Sequence, residues 1–412
     1  MSVPTTATPA KAGPAALRTN RDFRLLWVGQ ALSDFGSGMS YIVLPLVLLA
    51  AGYSTALAGV IGTATLLTSM VVRIPAGYLS DRCDPRTLMI ASDLVSLVLV
   101  ASVAGFVAGG RLPIAPALVA VVGSQVAFEV FRPSQNVLVR RIVPKDQLGK
   151  AVALNQARAY GAAVAAPSAA GFLFALSPSV PFTVDAATFA VSLGCVACVA
   201  RSRTTGGRGT GGGEGGFLRR VTAGLRHLVR DPFLRTSSVY FALLNLVFQA
   251  LVYALILGVG RTSGGASAVG VAMSSAAVTG LAGSLLAPLA QRRLSLPLVL
   301  AAGPAVSALC LVTAWRTGST IAFVAAFAAL CLLTPVIGAV LSTVMAKAAP
   351  EAIYGRVTTA FGFSTELLQP TGPLLAGLLL AELSMPSVAA VLAAVFGALA
   401  AVALFLPAPA TY

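Results

Sequence analysis

Twelve apolar stretches, each long enough to cross a bilayer, follow one another along the 412 residues, with one long interruption near the middle. A helix rises 1.5 Å per residue, so about 20 residues cross a hydrocarbon layer of roughly 30 Å. The stretches fall at 22–51, 55–80, 86–109, 113–139, 147–175, 178–200, 233–259, 266–290, 296–315, 319–346, 352–381 and 386–406. Inside lipid every backbone N–H and C=O needs an internal partner, which leaves helices and closed barrels. Continuous apolar runs without period-two alternation exclude the barrel. The expected fold class is an all-α polytopic membrane protein. Composition agrees, with 57% hydrophobic and 10% charged residues.

A net charge of +15 would suggest nucleic acid in a soluble protein, but its distribution points elsewhere. Of 28 Lys and Arg, 22 fall in loops on one side: Lys11 to Arg24, Arg82, Arg86, Arg140 to Lys150, Arg201 to Arg235, Arg292, Arg293, Lys347 and Arg356. Only Arg111, Arg261 and Arg316 fall on the other. The positive-inside rule then places both termini in the cytoplasm, and the even number of spans agrees, since it puts them on one side. The charge is a topology signal and implies no nucleic-acid partner. Residues 1–20 lack the apolar core of a signal peptide and read as a disordered cytoplasmic leader.

Five cysteines, nearly all in apolar segments, give no disulfide framework. Cys195 and Cys198 have the spacing of a redox or metal pair, yet without a His or acidic neighbour they read as small packing residues. The single His227 lies in a basic loop. There is no P-loop, zinc motif or nucleophile with an orienting base, so neither an enzyme nor an ATP-driven pump is expected, and no cofactor or metal is implied.

A Gly-rich tether, TTGGRGTGGGEGG (204–216), divides the chain. It gives a six-helix bundle at 21–200, a cytoplasmic linker at 201–232 and a second bundle at 233–412. Pro144, Gly149, Lys150, Pro167, Ala170 and Gly171 recur as Pro350, Gly355, Arg356, Pro373, Ala376 and Gly377, all offset by 206 residues. Two six-helix copies in the same orientation make a parallel repeat, a construction of secondary transporters in which substrate binds between the copies near the bilayer midplane.

Ionisable residues inside spans cost at least roughly 2.5–3.5 kcal/mol each on insertion scales and so mark partners, water or function. Asp34 in the first span and Glu366 in the eleventh sit at similar depth, without a partner on their own helices. Both are candidates for carrying a coupled proton, since a low-dielectric site favours the neutral carboxyl. Glu129 and Arg132, at i and i+3, can pair on one helix face, and Arg158 reaches the same depth. This trio reads as either a structural ion network or a coupling site. Asp185 and Asp93 read as packing or capping groups, with Arg73 placed to offset Asp93. Gln30, Gln125, Tyr160, Asn245, Phe248, Gln249, Phe361 and Gln369 accompany these charges, and apolar walls with a few polar groups are what small-molecule cavities present.

The stretch GYLSDRCDPRTL (77–88) concentrates charge at a turn between two apolar runs. It resembles the loop between helices 2 and 3 of the major facilitator superfamily, with Gly77, Asp81, Arg82 and Arg86 at the signature positions. Asp84 stands in place of the usual Gly and Pro85 in place of a basic residue. The stretches NRDFRLLWVGQALSDFGSGMS (20–40), SDRCDPRTLMIASDL (80–94), IVPKDQLGKAVALNQ (142–156) and PFTVDAATFAVS (181–192) resemble its macrolide-efflux and enterobactin-exporter-like branch.

The resemblance implies twelve transmembrane helices in the major facilitator fold. Gly77, Asp81, Arg82 and Arg86 then form a gate, with Gly77 allowing close helix approach and Asp81 meeting the start of helix 11 near Glu351 to Arg356. Pro167 and Gly171 in the fifth span, and Gly372, Pro373 and Gly377 in the eleventh, resemble the family's antiporter motif and serve as hinge and packing positions. Arg132-Pro133-Ser134-Gln135-Asn136 is similar in letters to an intramembrane motif of the family but lies nearer the cytoplasmic end. The implied protein is an exporter of a small amphipathic or hydrophobic molecule, such as a drug, siderophore or secondary metabolite, working by proton antiport and rocker-switch alternation in the bacterial inner membrane. It is expected to act as a monomer. An importer or lipid transporter on the same fold, or a non-transporting receptor or scaffold, are the alternatives.

Overall fold

The computed structural model describes residues 20–200, 228–261, 265–293, 295–348 and 354–406, together with Leu17 and Arg226. The Gly-rich tether, His227, most of the leader and residues 349–353 lie outside the described residues. The N-half contains α1 (Arg21–Ala50), α2 (Thr55–Arg82), α3 (Pro85–Ala108), α4 (Ile114–Ile142), α5 (Leu148–Leu176) and α6 (Val180–Cys198). The C-half contains α7 (Pro232–Gly260), α8 (Gly265–Arg293), α9 (Leu296–Thr317), α10 (Thr320–Ala348), α11 (Tyr354–Glu366), α12 (Thr371–Glu382) and α13 (Met385–Leu404). Eleven of these helices are long and apolar enough to cross a membrane.

Helix starts follow local chemistry. Asn20, Ser54, Asp84 and Asp231 each accept a hydrogen bond from the backbone N–H three residues on, satisfying one of the free donors of a first turn. In α3 and α7 a proline follows the capping aspartate, where its missing N–H costs nothing.

The eleventh span corrects the expected continuous helix at 352–381. It breaks at 367–370 into α11 and α12, neither long enough to cross alone. Pro370 and Pro373 lack the N–H groups that would bond to the carbonyls of Glu366 and Gln369. The chain tightens instead, with Gln369 N bonding Glu366 O, Thr371 N bonding Leu368 O and Gly372 N bonding Gln369 O, each at 3.1 Å. In α5 the position matching Pro370 is Val164, and with Pro167 alone the helix runs through unbroken.

The halves meet along α5 with α8 and α2 with α12. The two contacts are built alike. A Cβ on Gly270 would overlap the Pro167 carbonyl and lie 3.4 Å from Gly171 Cα. One on Gly59 would overlap the Pro373 carbonyl and lie 3.2 Å from Gly377 Cα. The sequence repeat thus reappears as a repeated interface, a glycine lying against Pro-x-x-x-Gly. Hydroxyls fasten both seams. Thr55 Oγ1 donates to Gly377 O at 2.9 Å, Leu374 N to Thr63 Oγ1 at 3.2 Å, and Ser274 Oγ to Val164 O at 2.6 Å. These contacts cluster near the 51–54 turn, at the end of the bundle opposite the basic 83–84 and 143–147 turns.

Candidate transport cavity and gate

A cavity of about 770 Å³ lies inside the N-half, lined by all six of its helices, and Tyr253 and Met273 from the C-half complete its wall. One ion pair crosses it between helices. Arg158 Nη1 of α5 stands 2.8 Å from Asp34 Oδ2 of α1, an ion pair whose angle falls outside that of a hydrogen bond. Arg132 also lines the cavity, with its guanidinium 5.6 Å from the Phe128 ring centre. The expected pairing of Glu129 with Arg132 on α4 does not form. Three and four residues along a helix bring side chains within reach, but the Arg132 group has an aromatic face beside it, and Glu129 has nearer donors.

Those donors come mainly from α2. Ser69 Oγ donates to Glu129, Gln125 Nε2 donates to it at 3.3 Å, and Arg73 Nε stands 3.8 Å from its Oε2. The opposite side of Arg73 reaches the C-half, where Nη1 lies 2.5 Å from Glu366 Oε2 at the end of α11. Arg73 therefore does not offset Asp93. The Asp93 carboxylate accepts from Ser192 Oγ at 2.8 Å, and Asp185 accepts from Ser40 Oγ. Both acids are buried and both line the cavity, which their reading as packing or capping groups did not foresee. The one available signal was hydroxyl residues recurring in otherwise apolar helices; their partners lie on other helices, beyond the reach of spacing rules.

Gln30 and Gln125 line the same cavity, and the buried Gln30 Nε2 has no hydrogen-bond partner among the described residues. The other polar and aromatic candidates sit elsewhere. Tyr160 is exposed on α5 away from the cavity lining. Asn245 Nδ2 donates to Thr365 O at 2.9 Å, pinning α7 to the turn before the break in the eleventh span, and Gln369 lies within that break. Gln249 is buried against Gly372. Phe248 packs on Phe327 with ring centres 5.8 Å apart, and Phe361 on Phe241 at 6.0 Å. Cys195 packs against Gly29 of α1.

At the basic end, the 77–88 stretch is tied into the N-half. Asp84 caps α3 and lies 3.9 Å from Arg141 of α4. Arg86 Nε donates to Val196 O at 3.2 Å, and its Nη2 to Ala197 O, occupying carbonyls at the C-terminus of α6. Arg82 stacks 4.1 Å over the Tyr78 ring. A Cβ on Gly77 would meet nothing within 4 Å, so no described neighbour crowds this glycine in the present conformation. Asp81 is exposed, and the side chains of the expected gate partner at 351–356 lie outside the described residues.

The model of the Major Facilitator Superfamily matches residues 26–367. The chain belongs to the major facilitator superfamily. It is a membrane transporter of that kind and not an enzyme. Among solved structures, a point mutant of the nucleoside transporter NupG superposes with a TM-score of 0.77 at 10% identity, covering 93% of this chain and 99% of that one. A bacterial homologue of the human lysosomal transporter Spinster, in an inward-facing and unoccupied conformation, gives 0.66 at 16% identity over 96% of both chains. A POT family transporter in complex with 5-aminolevulinic acid gives 0.70 at 12%, covering 94% and 96%. At these identities the likeness is one of fold. A comparison with curated protein sequences gives no match. Superfamily membership accounts for the paired halves.

Proposed function

We propose that this chain is a secondary exporter of a small amphipathic or hydrophobic molecule, a drug, siderophore or secondary metabolite, driven by proton antiport. It works as a monomer in the bacterial inner membrane, with both termini and the basic loops in the cytoplasm. The observation that carries the reading is the 770 Å³ cavity, walled mainly by apolar groups, with Asp34, Arg132 and Arg158 among its few charges. Such a site suits a ligand with a large apolar body and a few polar groups. The hydroxyl fastenings between the halves lie toward the 51–54 turn, which supports a carrier open to the basic side. With positive-inside topology, that side is the cytoplasm, where an exporter loads. The Pro-x-x-x-Gly seams allow the halves to rock.

The test is a substrate panel in everted vesicles, with and without a proton gradient. It should include hydrophobic cations, neutral macrocycles, catechol siderophores, nucleosides and 5-aminolevulinic acid. Accumulation of an amphipathic compound that collapses with an uncoupler is the expected result. Gradient-driven uptake into right-side-out vesicles alone would establish an importer instead, and no flux of any compound would favour a receptor or scaffold.

A further inference from the structure

We propose that the cleft between α7 and α13, at the basic end of the C-half, binds one anionic phospholipid, with its phosphate on Arg235 and an acyl chain between the two helices. The cleft holds about 500 Å³. Arg235 stands at its mouth, Val239 and Leu243 of α7 form one wall, and Leu399 and Val402 of α13 form the other, with Phe405 at the rim. From Arg235 to Leu243 the wall runs about 12 Å along the helix. The site is separate from the transport cavity and independent of substrate, coupling ion and direction.

The cleft has a cause in the sequence. In the N-half, α6 lies close against α1 because glycines leave room. A Cβ on Gly29 would stand 2.9 Å from Cys195 Cβ, and one on Gly36 would stand 3.0 Å from Asp185 Cα. Counted from the capping residues Asn20 and Asp231, the C-half places Tyr240 and Val247 where the N-half has Gly29 and Gly36. Side chains of that size hold α13 away from α7. Tyr240 is buried, and its hydroxyl donates to Leu300 O at 2.9 Å, which fixes the ring as the floor of the cleft. At the far end the same two helices meet, since a Cβ on Gly258 would lie 3.0 Å from Met385 Cε. They therefore diverge toward the basic end.

The chemistry of the walls names the occupant. Val239, Leu243, Val402 and Phe405 are exposed apolar side chains on membrane-spanning helices, a surface for hydrocarbon. Arg235 is exposed, and its side chain makes no ion pair or hydrogen bond among the described residues. Asp231, one turn earlier, does not neutralise it: that carboxylate is buried and accepts from Leu234 N at 3.0 Å. Arg226 and Arg230 are exposed just before the helix, so the charge around the mouth is positive. A guanidinium presents a planar fork of donors to phosphate oxygens, and basic pockets between spans select anionic headgroups. A zwitterionic headgroup would bring a cation of its own to the same place. A second copy docked by this face would set two unpaired arginines against each other.

The test uses the full chain in phosphatidylcholine nanodiscs doped with a phosphatidylglycerol that carries a photoreactive diazirine midway along one acyl chain. Peptide mapping after illumination should place the main adduct on residues 239–243 and 399–406. Replacing part of the phosphatidylcholine by unlabelled phosphatidylglycerol should displace it. Arg235→Gln should lower this adduct about fivefold, the loss of one basic contact with an anionic headgroup, and Arg235→Lys should retain it. Val402→Trp, which fills the cleft and leaves the charge in place, should lower it as well, with Val239→Trp in its stead if that variant is not monodisperse. An adduct spread evenly around the apolar belt, or one unchanged in Arg235→Gln, overturns the site. Equal labelling by the matching phosphatidylcholine probe overturns the recognition of charge. A cleft that takes no label in a parent running as a dimer gives this face to a second copy and overturns the lipid site.

Discussion

Asp34 of α1 and Arg158 of α5 neutralise each other at 2.8 Å in the wall of the cavity, joining two helices of the same half. The Arg158 side chain is 7% exposed and that of Asp34 26%, so the arginine depends on the pair more than the aspartate does. Removing one partner of a buried pair typically costs about 3–5 kcal/mol, and the partial exposure of Asp34 puts its loss at the lower end of that range. Asp34→Asn should therefore lower the melting temperature of purified protein by several degrees. The double variant Asp34→Asn with Arg158→Gln should recover part of the loss. A double-mutant cycle by differential scanning fluorimetry checks this, and additive losses would show that the pair contributes no coupling energy.

The seams between the halves tolerate no side chain at Gly59 or Gly270. Gly59→Val should push α2 from α12, and Gly270→Val should part α5 from α8, in both cases by opposing a backbone carbonyl. Gly59→Val is expected to raise the labelling of the buried Ala58→Cys, and Gly270→Val that of the buried Ala170→Cys, by a membrane-impermeant maleimide in whole cells several-fold, and each to reduce transport. Unchanged labelling in well-folded protein would mean that the halves yield elsewhere.

Arg82 and Arg86, four residues apart in one motif, should behave differently. Arg86→Gln removes a cation from two carbonyls at the end of α6, where charged hydrogen bonds are worth about 1.5–3 kcal/mol. Arg82→Gln removes an exposed contact with Tyr78, for which about 0.5–1 kcal/mol is typical. Thermal unfolding in detergent should rank the two variants in that order.

Asp81→Asn should leave yield and stability near those of the parent, since the side chain is exposed and the change removes charge with little volume. If Asp81 latches the basic end in the alternate state, the variant should dwell open on that side. Labelling of Asn155→Cys on the cavity wall, from the cytoplasmic side, would then rise. Parental labelling and transport would remove Asp81 from the gate.

The helices and their order were legible in the sequence because membrane spans declare themselves through length and hydropathy, properties of the local chain. The 206-residue repeat likewise announced the paired interface, since Pro167 with Gly171 and Pro373 with Gly377 occupy matching places in it. The broken span was missed: Pro370 and Pro373 were visible, but a lone Pro167 in the matching helix keeps it whole, and the outcome turns on two lost donors together. The charge pairs were the least legible. Helix spacing favoured Glu129 with Arg132 and left Asp34 and Glu366 alone, whereas their partners, Arg158 and Arg73, arrive from other helices. Depth in the membrane identified residues that need partners, and tertiary packing chose the partners.

The fastenings near the 51–54 turn have a mechanical consequence. Thr55, Thr63 and Ser274 hold the halves through neutral hydroxyls and backbone groups, each bond worth about 0.5–1.5 kcal/mol net. Water entering an opening crack can replace such bonds one at a time, without stranding a charge in oil. The closed end can therefore part like a zip fastener, in small successive steps, where a row of ion pairs would have had to fail all at once.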